Sequence, residues 1–466
     1  MYPSLSSESK HTLGYEVKRQ SAYISLGLLA LLFPFMPEWL IVLGIFLGAI
    51  AIVYMPKDSF LFKALASERD REAGVLLGPL KFSFALLLLA ILVVALDFPV
   101  FILAATIGTV AFGEGTAAIV NMLVSENKAI FWSVTLLILG TIFAFLFGSW
   151  VITNSDVGIQ AGIDSLDFMF FLAVIGTVTG ALLYTIVDEE NIAVPLGAGM
   201  AMWLFSSFTY TTIPSPAAIV VAVTFPLVIG IISFKLNAAD LSGALSGVLI
   251  GVLIIVFGGI TWFLLFLVFF FLGALFTKYK YAYKKSLGAA ESNQGSRGYK
   301  NAFGNCLAPL IFVVAYGVLG NTEMPYIGYI DKTIFLAAYL GAMATATGDT
   351  LASEIGSTYQ GSPRMITTFK KVKTGTDGAV SLLGETAALF GSSAIAVIAL
   401  PLGMITTLDP VLVLVTVLGG FLGTNADSLL GATLQKKKML SNAGVNLLAT
   451  FVGGIISVLI YLLLVH

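Results

Sequence analysis

Carboxylate side chains occur inside apolar segments of the second half of the chain. Asp349, Glu354 and Asp427 interrupt stretches that are otherwise rich in Ala, Gly, Leu and Val. An ionised group at membrane depth is costly and by default indicates a functional site. The alternative is a helix end whose carboxylate reaches the lipid headgroups. We favour the functional interpretation because the loop that follows supplies partners for these carboxylates.

That loop is basic and glycine-rich. It contains Arg364, Lys370, Lys371 and Lys373, and then Thr376, Asp377, Gly378 and Ser381, which lead into the next apolar segment. Basic side chains bind phosphate oxygens, glycines let backbone N–H groups approach them, and a helix N-terminus adds its dipole. The same cations are also typical of any cytoplasmic loop. Together with the nearby carboxylates, however, they predict a phosphate-binding site.

Several carboxylates beside a phosphate-binding loop suit Mg²⁺, which prefers oxygen ligands and is usually shared with substrate phosphates. The chemistry indicated is phosphoryl or nucleotidyl transfer, in which positioning and charge neutralisation carry most of the catalysis. No Gly-x4-Gly-Lys-Ser/Thr sequence is present, which excludes an ordinary P-loop enzyme. One cysteine and two histidines exclude disulfides and leave almost no room for a Cys/His metal site or imidazole catalysis.

The elements that must position these groups are membrane helices. Of the 466 residues, 58% are hydrophobic and 11% are charged, whereas a soluble domain has about 25% charged residues. The sequence therefore predicts an all-α, polytopic integral membrane protein with about 15 transmembrane helices of roughly 20 residues each. The predicted helices lie at 23–35, 37–55, 78–96, 99–121, 129–151, 167–187, 192–208, 215–234, 243–258, 260–276, 301–320, 333–348, 378–403, 410–431 and 443–465.

The basic residues orient these helices, because cytoplasmic loops collect Lys and Arg. With a cytoplasmic N-terminus, every basic residue except Lys332 falls on the cytoplasmic side. We therefore expect the active face to be cytoplasmic. The net charge of −2 gives no reason to expect a nucleic-acid partner. A break near Lys235 to Asp240 divides the chain into two predicted domains, 1–234 and 235–466.

The second domain contains three long motifs in order, at Gly348 to Gly356, Pro363 to Gly384 and Gly423 to Gln435. They closely resemble the family of phytyl-phosphate kinase and transmembrane protein 19, and the similarity covers about Lys235 to His466. The resemblance implies a membrane-embedded site that converts a prenyl monophosphate of the geranylgeranyl or phytyl type to the diphosphate. It also implies a nucleoside triphosphate as the donor, and CTP in particular, because related enzymes use it.

The resemblance implies a role for each candidate residue of this domain. The catalytic candidates are Asp349, Glu354, Asp377 and Asp427, and the candidate Mg²⁺ ligands are Asp349, Asp377 and Asp427. The nucleotide and phosphate groups are expected at Arg364, Lys370, Lys371, Lys373, Thr376, Gly378 and Ser381. Two alternatives remain open: a CTP-dependent cytidylyltransferase that makes a CDP-lipid, and a lipid or solute transporter built from two related halves.

The first domain carries related motifs at Glu16 to Tyr23, Gly113 to Gly115 and Asp188 to Leu196. These are similar to motifs of the phytol kinase and dolichol kinase family, which implies a second possible site at Glu114, Asp188 and Asn191. Tyr23 stands where that family has His, and Glu114 where it has Asp. The family's Lys-Ser-x-Glu-Gly motif is reduced to the segment Asn127 to Phe131. We interpret this domain as a diverged kinase-like domain.

Overall fold

The structure is a computed structural model that describes residues 7–123, 128–155, 165–208, 215–288, 295–320, 322–324, 328–406 and 409–465. The chain forms two compact units, Met1–Ala218 and Ile219–His466. Helix Pro216–Lys235 therefore lies almost entirely in the second unit, whereas the sequence analysis assigned it to the first domain. Its contacts explain this, since Pro226 packs against Gly251 in the next helix of the same unit.

Unit 1 is built from helices. They are α1 (Ser7–Gly27), a 3-10 helix (Leu28–Phe35), α2 (Glu38–Val53), α3 (Phe60–Leu65), α4 (Glu68–Ala73), α5 (Leu77–Leu96), α6 (Val100–Ile107), a π-helix (Gly108–Glu114), α7 (Gly115–Leu123), α8 (Lys128–Thr135), a second π-helix (Leu136–Gly140), α9 (Thr141–Asn154), α10 (Ser165–Ile186) and α11 (Glu190–Ser206).

Unit 2 is also mainly helical. Its helices are α12 (Pro216–Lys235), α13 (Leu241–Gly258), α14 (Ile260–Lys278), α15 (Tyr281–Ser286), α16 (Tyr299–Leu319), α17 (Lys332–Gly356), α18 (Leu382–Ala399), α19 (Pro410–Leu430), a π-helix (Gly431–Gln435) and α20 (Asn442–Val465). Two short antiparallel strand pairs lie in its loops, β1 (Thr322–Met324) with β2 (Gly328–Ile330) and β3 (Arg364–Met365) with β4 (Ala379–Val380).

Twelve helices in the described part of the chain are long and apolar enough to cross a membrane, which confirms the all-α polytopic fold class. Three of the predicted spans fall short of this criterion. The segment 23–35 consists of the end of α1 and a 3-10 helix, while α2 has 16 residues and α11 has 17. The estimate of about 15 spans counted apolar segments. These three segments form helices that are shorter than the roughly 20 residues needed to cross a bilayer.

Helices α17 to α20 pack closely because small residues line their contacts. A methyl group built at Gly391 of α18 would lie 2.9 Å from the Cα atom of Gly348 in α17. One built at Gly453 of α20 would lie 3.0 Å from the carbonyl oxygen of Gly419 in α19. The buried hydroxyl of Ser457 in α20 donates to a backbone carbonyl of α19 at 2.9 Å. Such residues let membrane helices approach where the hydrophobic effect supplies no driving force.

The contacts also fix the directions of these helices. Ala344 and Gly348 of α17 lie beside Gly420 and Thr424 of α19, so these two helices run parallel. Helix α18 runs antiparallel to α17, because its start lies beside the end of α17 and its middle lies beside Gly348. The basic loop 357–381 therefore lies at the end of unit 2 where α17 and α19 finish.

Gly391→Ala tests this packing. The added methyl group would meet only backbone atoms, those of Gly348 and Thr347 within 3.0 Å, so no side chain can rotate away. We expect the free energy of unfolding to fall by about 1–3 kcal/mol, the usual cost of overpacking. Thermal unfolding in detergent measures this.

Gly247→Ala is the matched control, because a methyl group at this position in α13 has no atom within 4 Å. We expect it to leave the thermal midpoint unchanged or slightly raised, since Ala favours the helix over Gly. Equal midpoints for the two variants would contradict the close contact of α17 with α18.

Candidate functional site

The carboxyl groups of Asp349 and Asp427 meet between α17 and α19. The parallel contact of Gly348 with Thr424 places Asp349 and Asp427 on facing turns. The two carboxyl groups approach each other to hydrogen-bonding distance. Oδ2 of Asp427 is buried and has no hydrogen-bond partner. The structure thus brings together two of the three predicted metal ligands and leaves one of their oxygens free to bind a ligand.

The third candidate, Asp377, reaches this pair through the packing of its loop. Gly378 has φ +75°, and a methyl group there would lie 2.5 Å from the backbone nitrogen of Ala432. Only glycine fits this contact without strain. Asp377 is exposed, and its charge acts on the carboxyl group of Asp427. Within the described residues, no group of three or more Asp, Glu, His or Cys is arranged to hold a metal ion alone.

Arg297 is a residue of this site that sequence reasoning missed. Its guanidinium group interacts electrostatically with Asp349, lies 5.6 Å above the Phe269 ring and donates from Nη2 to Thr277 Oγ1 at 3.4 Å. A methyl group at Gly273 would lie 2.5 Å from Arg297 Nη1, so this glycine makes room for the guanidinium group. The sequence analysis treated Arg297 as one more basic residue of a cytoplasmic loop.

Glu354 is bound differently from the other catalytic candidates. Its Oε1 accepts from Thr277 Oγ1 at 2.8 Å, and its Oε2 pairs with the ammonium group of Lys284. Lys284 is fully buried and also donates to the carbonyl oxygens of Phe276 and Thr277 at 3.0 and 2.8 Å. Both carboxylate oxygens of Glu354 are therefore engaged. The ion pair joins the end of α17 to α15, and the hydrogen bonds of Thr277 and Lys284 join both to the end of α14.

The basic loop forms a compact structure. Arg364 in β3 donates from Nη1 to the carbonyl oxygen of Phe369 at 2.9 Å. Lys371 and Lys373 line an open surface pocket of about 590 Å³, while Lys370 is exposed beside it. Strand β4 occupies residues 379 and 380, so the helix predicted at 378–403 begins only at Leu382.

Two hydroxyl groups of this loop have local roles in its structure. Thr376 Oγ1 donates to the carbonyl oxygen of Lys373 at 2.7 Å. Ser381 caps α18, because its Oγ accepts from the backbone N–H of Gly384 at 3.1 Å. The cap satisfies one of the N–H groups that the first turn of a helix leaves without a partner.

Arg297 borders an apolar cleft in unit 2. The cleft runs between α12, α13, α14 and α16 and has about 50 Å³ of internal space, and its lining includes Phe263, Phe266, Phe269 and Phe270. Arg297 is the charged residue among its lining residues. The same guanidinium group thus borders both the carboxylate pair and an apolar surface.

The three candidates of unit 1 also come together. Glu114, Asp188 and Asn191 line one cavity of about 420 Å³, together with Tyr23 and Arg19 from α1. Burial raises the pKa of the Tyr23 phenol well above its ordinary value. The segment Asn127 to Phe131, which the sequence analysis compared with a nucleotide motif, lies outside the residues whose side chains the structure describes.

Lys284→Met tests the ion pair with Glu354. The substitution leaves a buried carboxylate without its cation, and breaking a buried pair in this way costs about 3–5 kcal/mol. We expect a clearly lower thermal midpoint, and partial recovery when Glu354→Gln is added, because Gln keeps the contact with Thr277 and carries no charge. Lys285→Met, an exposed neighbour on α15, is the control. A midpoint for Lys284→Met equal to that of Lys285→Met would contradict the structural role of the pair.

Comparison with known proteins places the chain among membrane proteins. Residues 224–454 match the family described as integral membrane protein DUF92, and this match falls within unit 2. The uncharacterized membrane protein MJ0933 of Methanocaldococcus jannaschii is 34% identical over 241 residues, which are 52% of this chain and 93% of that protein. No solved structure matches the chain significantly.

Two further relatives come from photosynthetic organisms. The uncharacterized membrane protein sll0875 of Synechocystis sp. is 32% identical over 44% of this chain and 76% of its own length. Protein VTE6, chloroplastic, of Arabidopsis thaliana is 33% identical over 43% of this chain and 61% of its own length. The family match over residues 224–454 and a relative at 34% identity that is covered over 93% of its length show that this chain belongs to the DUF92 family of integral membrane proteins. Its apolar helices agree with this.

Proposed function

We propose that this protein is a membrane-embedded kinase that converts a prenyl monophosphate of the geranylgeranyl or phytyl type to the diphosphate, with CTP as the donor. One observation carries the proposal. The carboxyl groups of Asp349 and Asp427 meet beside Arg297, and Oδ2 of Asp427 is buried without a partner. The three motifs that resemble phytyl-phosphate kinase contain both carboxylates, and the residues matched to the DUF92 family include them.

The residues present fit a magnesium ion. Two adjacent carboxylates repel each other and need a cation or a proton between them, and one of their oxygens is free. Mg²⁺ is usually held by one or two carboxylates with water and substrate phosphates, so a complete protein cage is not required. Asp349 and Asp427 would hold the ion, with the exposed Asp377 at its rim. When bound, it would neutralise charge on the transferring phosphoryl group.

The reaction needs positioning more than covalent chemistry. An oxygen of the prenyl phosphate attacks the γ-phosphorus of the nucleotide, and the bond from that phosphorus to the β,γ-bridging oxygen breaks. The products are the prenyl diphosphate and the nucleoside diphosphate. Arg297 would orient the acceptor phosphate by charge-assisted hydrogen bonds. Lys371 and Lys373 would hold the outer phosphates of the donor in their surface pocket.

The surroundings of Arg297 suit a lipid that bears a phosphate. The apolar walls of the cleft would contact the start of the isoprenoid tail, the rest of the tail would lie in the surrounding bilayer, and the phosphate would meet the guanidinium group. The basic residues of the loop 357–381 lie at the helix ends near this site. By the positive-inside rule, this end faces the cytoplasm, where nucleotides are available.

Asp349→Asn and Asp427→Asn test the site. Purified protein in lipid nanodiscs with Mg²⁺, CTP and geranylgeranyl phosphate should release geranylgeranyl diphosphate and CDP. Each substitution should lower the turnover rate by about 10²–10³-fold, as expected when an electrostatic contact to the transition state is lost. The thermal midpoint should stay equal or rise, because one of two repelling buried charges is removed.

Asp331→Asn is the matched control on the same helix. Asp331 is exposed at the start of α17 and caps it, a role that Asn fills equally well. The products separate the alternatives, since a cytidylyltransferase releases pyrophosphate and a CDP-lipid instead of CDP. No transfer from CTP, ATP, UTP or GTP to any prenyl phosphate would refute the kinase, and full activity of Asp349→Asn would refute the site.

A further inference from the structure

Unit 1 contains a polar cavity that lies outside the residues matched to the DUF92 family. It has about 420 Å³ of internal space, which is within the range of ligand pockets. Its walls come from α1, the start of α5, the π-helix that ends at Glu114, and the residues before and at the start of α11. One wall is aromatic, because Trp132 stacks on Tyr184 with ring centroids 3.5 Å apart.

Most charges on these walls already have partners. Arg19 Nη2 donates to Glu16 at 2.6 Å, and Lys81 Nζ pairs with Glu189 at 2.5 Å. Asp70 accepts from the backbone N–H groups of Ser67 and Leu77 at 2.8 and 2.7 Å, so that it holds a turn. Both cations of the lining are thus compensated by other residues.

Three lining carboxylates remain, Glu114, Asp188 and Glu190, and in the described residues none of them forms an ion pair. Glu114 Oε1 is buried and has no hydrogen-bond partner. The charge of Glu190 acts on the same carboxyl group. A buried, unpaired carboxylate beside a like charge is costly unless a cation or donor compensates it.

We infer that this cavity binds a hydrated divalent cation through Glu114 and Glu190. Asp188 and Asn191 line the same cavity, where their side-chain oxygens would accept hydrogen bonds from the water molecules bound to the ion. No set of three such carboxylates forms a ready-made cage in the described residues, so water completes the coordination, as is usual for Mg²⁺. A cavity of this size accommodates a partly hydrated ion. The site is separate from the proposed kinase centre and does not depend on it.

A Mn²⁺ titration tests this site on the full chain. The Asp349→Asn/Asp427→Asn variant serves as the background, so that binding at unit 2 does not contribute. Loss of the free Mn²⁺ signal in electron paramagnetic resonance should report binding. The chain has five tryptophans, so the share of Trp132 is the difference in paramagnetic quenching between this background and the same chain with Trp132→Phe. A clear difference should locate the ion at this cavity. Adding Glu114→Gln or Glu190→Gln should weaken Mn²⁺ binding by at least about tenfold, the scale expected for a change in the ligand environment of a metal.

Two controls make the outcome decisive. Glu38→Gln, an exposed carboxylate at the start of α2, should leave the affinity unchanged. Trp132→Phe should lower the quenching but keep the binding. If Glu114→Gln fails to fold, Glu190→Gln carries the same prediction. Binding that stays within twofold in a folded glutamine variant, or quenching that is undiminished in Trp132→Phe, would overturn the assignment.

Discussion

The approach of α17 to α19 is the constraint on which the site of unit 2 depends. Glycines in α17, α18 and α19 let three backbones come within van der Waals distance, as at Gly348 and Gly391. Gly348 of α17 also lies beside Thr424 of α19, and the two helices run parallel. Asp349, which follows Gly348, therefore meets Asp427, which lies in the turn after Thr424. Larger residues at the contact would separate the helices and the two carboxyl groups. The chemistry of the pair therefore follows from the packing of residues that carry no charge.

The carboxylates inside unit 2 differ in whether their oxygens have partners. Glu354 has both oxygens bound, by Lys284 and Thr277, and the cation also satisfies the last carbonyl groups of α14. This arrangement fixes helix ends and leaves no oxygen for a ligand. Asp427 on the neighbouring helix α19 has one oxygen without a hydrogen-bond partner. Thr277 connects the two groups, since it also contacts Arg297, which acts on Asp349. The contacts of Glu354 with Lys284 and Thr277 thus help to position Arg297, which faces the carboxyl groups of Asp349 and Asp427.

Glu114 of unit 1 and Asp349 of unit 2 lie in different backbone conformations. Asp349 follows Gly348 within the regular helix α17, whereas Glu114 follows Gly113 at the end of a π-helix. The π-helical turn shifts the side chains that follow it relative to a regular helix, and such turns occur often at functional sites. Each unit therefore presents a carboxylate to a polar site, and each does so by its own local geometry.

The sequence by itself determined the fold class, because long apolar segments require helices in a bilayer, and it showed which carboxylates interrupt those segments. It also located the basic loop and most helices to within a few residues. It did not separate Glu354 from Asp349, since both appear as carboxylates at the end of one helix, and it did not identify Arg297 or Lys284, which resemble any basic loop residue. Only the tertiary structure decided these roles, because partners distant in sequence, such as Lys284 with Glu354 or Asp349 with Asp427, are brought together by helix packing that no local pattern encodes.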